Sequence, residues 1–408
     1  MALATALAAF FVGVQFYTSL QALSPTPHVG FSFVNRLGAA VLVAAIALAA
    51  LVCAVALVCD GAFRRRGGSR AMLAAWIGAA FVSALLGLAP LEGLQVVATM
   101  LLAAFFHLAL VRWYAEAPVA KAVVLAYLIA GSLAALAGIL MVWLRVPLAL
   151  YAETHGRAAG FFLSANQFAE FLDLFVFVAL GIALGAPEMR LRRAAATGAA
   201  LGVVALVLTF SRESWSGVAI AAIWLAAVLR QRKLASVSAA TALVLAATLA
   251  LRPFPHHDPS DTFSRLWTLE GGLRVVALFP LTGVGPVEYW RIYPAIRPVN
   301  GPAPGTFGAL HPHDVYLSLA GETGLAGLAA ALLGWLWFAR ELRRRLARAP
   351  ERNRRAALAV CAGLIAILWA GLFDSIGVVQ MTFVWIPYTA LALALAADGF
   401  PPVTDGAA

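Results

Sequence analysis

Two histidines one residue apart, followed at once by an aspartate, stand in HPHDVYLSLAGETG, residues 311–324. A free imidazole titrates at about 6.5, so such a histidine can take a proton from a hydroxyl near neutral pH. His313 is the candidate general base. Asp314 and Tyr316 are close enough in sequence to orient its ring, and His311 is a helper held by Pro312. Three further stretches bring cations. HGRAAGFFLSANQFAEF (155–171) holds Arg157 before Asn166 and Gln167, TFSRESWSG (209–217) holds Arg212 in a tight turn, and TFSRLWTLEGGLRVVALFPLTGVGP (262–286) holds Arg265, Arg274 and the Gly283-Val284-Gly285 turn.

Several arginines with one histidine suit an anion carrying more than one charge. The guanidinium fork grips phosphate oxygens in a way an ammonium cannot copy. Each charge-assisted bond at a partly dry site is worth about 1.5–3 kcal/mol, so two or three hold a diphosphate without a metal. Each residue also has a plainer reading. Arg157 could snorkel to headgroups from a helix end, Arg212 could pair with Glu213, and Arg274 could lie on a solvated helix face. His256 and His257, in a proline-flanked loop, read as incidental. The rival chemistry is a metal site built from His311, His313 and Asp314 with His256, His257 and Asp258. Against that rival, Asp314 is better placed to cap the following helix or orient His313. Ser211 and Ser214 flank an arginine rather than a histidine, which disfavours a serine nucleophile.

The elements that must position these groups lie in a membrane. Of 408 residues, 63% are hydrophobic and 12% are charged, half the share usual in soluble domains. The apolar residues come in blocks long enough to cross the roughly 30 Å hydrocarbon layer, which takes about 20 residues of helix. The pattern predicts twelve helices, near 3–20, 32–59, 71–89, 91–112, 120–144, 166–186, 194–210, 215–230, 234–251, 315–339, 356–373 and 379–397. The first block has no basic leader segment and reads as a retained span. Cys53, Cys59 and Cys361 lie in apolar blocks and read as small core residues.

The connections divide the chain by side. RRRGGSR (64–70), Arg112 with Lys121, RLRR (190–193), RQRK (230–233) and RELRRRLARAPERNRR (340–355) hold 20 of the 29 lysines and arginines, all on one side of a twelve-span layout. The positive-inside rule makes that side, and both termini, cytoplasmic. It also accounts for the net charge of +10 without nucleic acid. The candidate site residues then face outward. The chain reads as helices one to nine over 1–251, an outer segment with interfacial helices over 252–314, and three helices with a cytoplasmic tail over 315–408. Deep polar residues that a transporter would need are few: Asn35, Arg36, Asp173 and Glu322, with Arg36 and Glu322 a candidate structural pair.

These residues resemble a known family, the O-antigen ligase and polymerase superfamily. HDVYLSLAGETGLAGL is similar to its His-Asn-x-Tyr-Leu followed by Glu-x-Gly-Leu-x-Gly, with His313 at the family histidine and Asp314 where Asn is commoner. TFSRESW resembles its Ser-Arg turn, which gives Arg212. SRLW through FPLTGVGP resembles its arginine, short amphipathic helix and Pro-x-x-Gly-x-Gly, which gives Arg265 with Arg274 as helper. GRAAGFFLSANQFA matches a segment with Gly160 and Asn166. The resemblance covers 157–328 and implies an all-α integral-membrane glycosyltransferase of the GT-C type, working at the periplasmic face of a bacterial inner membrane. It implies an undecaprenyl-diphosphate-linked O-antigen donor and a lipid A-core acceptor, inverting transfer, and no metal or other cofactor. His313, Arg212 and Arg265 are then the expected catalytic residues. Arg157, Arg274, Asn166, Gln167, Gly283, Gly285, His311, Asp314 and Tyr316 are the expected substrate-binding set. Polymerases share the layout, and Arg274-x10-Gly285 fits one of the two spacings expected of them. Ligase is therefore the first expectation and polymerase the second, with a protein-glycan ligase a smaller third option, and transport of a lipid-linked anion stands apart as a different class.

Overall fold

A computed structural model describes residues 48, 51–59, 68–146, 151–231 apart from 153 and 163, 259–303, 311–373 and 378–400. The expected first and ninth spans, most of the second, and Asn35, Arg36, His256, His257 and Asp258 lie outside the described residues. After a helical stretch at 51–59, the described residues form eleven helices: α1 Gly68–Leu86, α2 Pro90–Trp113, α3 Ala117–Leu144, α4 Ala165–Gly185, α5 Met189–Leu208, α6 Arg212–Val228, α7 Pro259–Leu278, α8 Tyr289–Ile296, α9 Val315–Leu346, α10 Glu351–Ala370 and α11 Val378–Ala397. Seven of them, α1 to α5, α9 and α10, are long and apolar enough to cross a membrane. The protein is an all-α integral membrane protein. Nine of the expected spans coincide with described helices. α6 has 17 residues, and α11 has 20 with its described apolar stretch at Trp385–Ala397.

Sequence chemistry sets the helix ends. Prolines occupy the first turns of α2 and α3, where a missing N–H costs nothing. Ser164 caps α4 by accepting from the Gln167 amide at 3.2 Å, and Asp314 caps α9 by accepting from the Leu317 amide at 2.8 Å. α4 is central: 83% of its apolar window is buried, against 28% for α5 at the rim. It lies between α5 and α10. α10 in turn packs on α6 and α11, while α9 packs on α1, α11 and α7. Small residues let these helices approach, as where Gly217 of α6 meets the backbone of Ala366 in α10.

One helix is broken. α9 runs through Gly324 at φ 72° and ψ 174°, a conformation open to glycine alone. The opened turn leaves carbonyls that need donors, and the turn after α7 supplies them. Val284 N donates to Gly321 O at 2.9 Å and Gly285 N to Glu322 O at 3.1 Å, while Leu325 N, just past the break, donates back to Pro280 O at 2.8 Å. Ser83 of α1 adds a hydroxyl to Glu322 O at 2.6 Å, and Leu88 N donates to Val284 O at 2.9 Å. The Glu322 carboxylate accepts from Val287 N at 3.0 Å, which holds a β-branched residue at φ 65°. The turn, α1 and the outer part of α9 are thereby clasped together.

Candidate functional site

Arg157, Arg212 and His313 stand at or before the starts of α4, α6 and α9, at the ends of these helices away from the basic stretches at 190–193 and 340–355. Arg157 stands in the loop before α4. Its Nε donates to Thr209 O at 2.7 Å and its terminal nitrogen to Asn166 Oδ1 at 2.5 Å. Ala158 N donates to Leu208 O at 2.9 Å. The pre-α4 loop is thus pinned to the α5–α6 turn, and the first two sequence clusters become one. That turn is tight because Phe210 adopts φ 52° and Thr209 Oγ1 accepts from the Ser211 amide at 3.2 Å. Arg212 opens α6 with an exposed side chain, while the adjacent Glu213 and Ser214 are buried. Thr209, unremarked in the sequence, supplies the backbone seat for Arg157, and nothing in its residue type signals that.

The turn is tied to the histidine through α10. Ser216 Oγ donates to Glu213 O at 2.8 Å and accepts from Trp369 Nε1 at 2.9 Å. Two residues on, Gly371 O accepts from Val315 N, the first residue of α9, at 2.7 Å. His313 sits directly before that cap. It is 9% exposed and adopts φ 52°, a left-handed backbone that a non-glycine residue holds at a cost of about 1–3 kcal/mol. The His311 ring packs against it nearly edge-on, with centroids 4.3 Å apart. The Asp314 carboxylate faces the α9 amides of Leu317 and Tyr316. Burial pushes its pKa above the usual carboxylate range and those amides pull it back. Tyr316 turns into the bundle, donating to Leu368 O at 3.2 Å and packing edge-on against Trp335. Asp314 therefore has a capping duty and Tyr316 a packing duty.

The two arginines of α7 go to different places. Arg265 donates to Phe373 O at 2.9 Å, just past α10 and beside the residue that anchors α9. On the same helix, Gly272 lies against Pro312, between the two histidines. Arg274 donates to Ile296 O at 3.0 Å and pairs with Glu270 at 2.6 Å, on the side of α7 that carries α8. Nine residues apart on a helix means a rotation of roughly 180°, so the two guanidiniums face opposite ways. Gly283 and Gly285 lie in the clasp on α9, and the Gly283, Val284 and Gly285 amides donate to protein carbonyls. Gln167 is half-buried at the start of α4.

A second polar group joins α8 to the start of α2. Arg291 of α8 sits 2.6 Å from Glu288 and 2.5 Å from Glu92 at the start of α2, with its guanidinium 4.5 Å from the Trp290 ring centre. Burial pushes the Glu288 carboxyl up to about 7, against the pull of Arg291 and with a small push from Glu92. Neither Glu92 nor Glu288 stood out in the sequence, because their partner lies in a distant element. Among the described residues no group of three or more histidine, cysteine or acidic side chains is arranged to hold a metal.

The described residues include exposed and half-buried guanidiniums along the pre-α4 loop, α6 and α7, and a buried imidazole held at a strained backbone before α9. A family model described as O-antigen ligase matches residues 197–332, from α5 through the break in α9. No curated protein matches the chain.

Proposed function

We infer, from a chain that carries an O-antigen ligase domain over 197–332 and so stands in the O-antigen ligase and polymerase superfamily, that this membrane glycosyltransferase is the ligase of lipopolysaccharide biosynthesis. It moves a glycan from undecaprenyl diphosphate to lipid A-core oligosaccharide. The reading takes the full layout to be twelve spans of GT-C type in a Gram-negative inner membrane, with both termini cytoplasmic and the site periplasmic. In this reading both lipids reach the site sideways from the bilayer.

In this mechanism an acceptor hydroxyl oxygen attacks C1 of the donor sugar from the face opposite the diphosphate. His313 takes the hydroxyl proton as the new C1–O bond forms. The old C1–O bond breaks and its electron pair leaves with the diphosphate. Arg212 and Arg265 stabilise the charge that grows there, and Arg157 assists. Charge stabilisation at a leaving group is commonly the largest catalytic term, about 100- to 1,000-fold per donor removed. A general base adds about 100- to 10,000-fold. Arg274, turned toward Glu270 and α8, belongs to the scaffold in this reading, as do Gly283 and Gly285. Asn166 serves by aiming Arg157.

The observation that carries the reading is the placement of His313: buried, at positive φ, beside the α10 end to which Arg265 is bonded. The test is reconstitution of the purified protein with undecaprenyl-diphosphate glycan, with and without lipid A-core. Product that forms only with lipid A-core is expected, and His313→Ala should abolish it while the variant still unfolds at the wild-type temperature. Longer lipid-linked glycan in the absence of lipid A-core would make the protein a polymerase. Near wild-type transfer by His313→Ala would remove the base assignment.

A further inference from the structure

α4 carries one polar stripe through an otherwise apolar span. Asn166, Glu170 and Asp173 recur at i, i+4 and i+7 and so share a face. The stripe begins at the Asn166 amide beneath Arg157. It ends roughly 10 Å further along the helix at Asp173, which is fully buried. There it meets the first turn of α6. Ser214, also fully buried, approaches the Asp173 carboxylate without the geometry of a hydrogen bond, and the Glu213 carboxylate lies beside them. Among the described residues, neither Asp173 oxygen, nor Glu213 Oε1, nor Ser214 Oγ has a hydrogen-bond partner. α10 seals the group from behind, with Gly363 against the backbone of Asp173 and Leu174.

Two carboxyl groups side by side and out of water are costly as a pair of charges unless a proton or a cation joins them. The donors are all oxygen, the set that suits a hard cation. Mg²⁺ keeps several of its waters, and Ca²⁺ takes about six to eight oxygens. Two carboxyl groups and a hydroxyl sealed under α10 leave no room for magnesium's waters and carry too little for calcium, whereas a monovalent cation sheds its water at far lower cost and tolerates fewer ligands. We propose that Asp173, Glu213 and Ser214 form a binding site for an alkali-metal cation, sodium or potassium, reached along the α4 stripe. A cation there fixes the first turn of α6, the turn that carries Arg212. If the proposed transfer reaction holds, it also keeps the Glu213 carboxylate from competing with a diphosphate for the neighbouring guanidinium.

The test is thermal unfolding of the full-length protein in detergent, in sodium, potassium or choline chloride at matched ionic strength. Wild type should unfold at a higher temperature in sodium or potassium than in choline, and Asp173→Asn should show no difference among the three salts. This readout needs no glycan, so it stands apart from the transfer reaction. Equal unfolding temperatures of wild type in all three salts would overturn the site. So would an Asp173→Asn variant that keeps the salt difference, or a stabilisation produced by calcium or magnesium chloride in place of the alkali salts. In the transfer assay, replacing sodium and potassium by choline should raise the donor KM with little change in kcat. Loss of that effect alone would remove the link to Arg212 and leave the cation site.

Discussion

Gly324→Ala strikes the clasp at its weakest geometric point. A methyl group built there would lie 2.0 Å from Leu281 O and 2.3 Å from Leu281 C, both backbone atoms of a turn that cannot swing aside. The alanine would also sit at φ 72° and ψ 174°, a region costing about 1–3 kcal/mol for a side chain. Relief requires the turn and α9 to part, which breaks three backbone bonds: Val284 N to Gly321 O, Gly285 N to Glu322 O, and Leu325 N to Pro280 O. At about 0.5–1.5 kcal/mol net each, the loss totals about 2.5 to 7.5 kcal/mol with the strain included, against the roughly 5–15 kcal/mol that usually holds a protein folded. The assay is thermal unfolding in detergent beside Gly78→Ala, where an added methyl meets nothing within 4 Å. Gly78→Ala should be neutral or slightly stabilising, since alanine is the better helix former. Gly324→Ala should unfold many degrees lower and lose transfer activity. If it unfolds within a degree or two of wild type, the break in α9 is not a required element, and the structural duty given to Gly283 and Gly285 goes with it.

Arg265→Ala should lower transfer about 100-fold or more, whereas Arg274→Ala, which removes an exposed i,i+4 pair with Glu270, should stay within a few-fold; the reverse order would exchange their roles. Asn166→Ala removes the acceptor beneath Arg157 and should raise the donor KM about 10- to 100-fold, the worth of one charge-assisted bond, and an unchanged KM would free Asn166 for another duty. The folded-state pKa of Glu288 is pushed up to about 7, so the folded chain holds that proton more tightly than the unfolded chain. Its contribution is complete below the ordinary carboxylate range and is lost as pH rises to about 7, by up to about 3 kcal/mol. Comparing unfolding temperatures at the two ends of that window should show a fall in wild type that Glu288→Gln lacks.

Much of the fold was legible because lipid enforces helices: apolar length placed the spans and Asp314 marked the start of α9, whereas the prolines of α2 and α3 and the Ser164 cap stand out as end signals only with the helices in place. Asp314 was legible as a cap because a short acid before an apolar run satisfies open amides. The opposed faces of Arg265 and Arg274 were within reach too, since helical phase alone separates residues 265 and 274 by half a revolution. The clasp was not. Nothing in local periodicity tells Val284 that its amide will meet Gly321, because that pairing depends on two elements meeting in space. Arg157 on the Thr209 carbonyl, and Arg291 between Glu92 and Glu288, were hidden for the same reason.

The break in α9 also relocates a seam. Hydropathy puts the edge of the outer segment at Asp314, where the apolar run begins, yet the first turns of α9 are bonded to the 280–287 turn and to α1 as far as Leu325. A chimera that borrows this segment from a relative, to alter which sugars are joined, should therefore be spliced beyond Gly324. Cut at 314, the graft would bring in a foreign loop and leave behind the half-helix shaped to receive it.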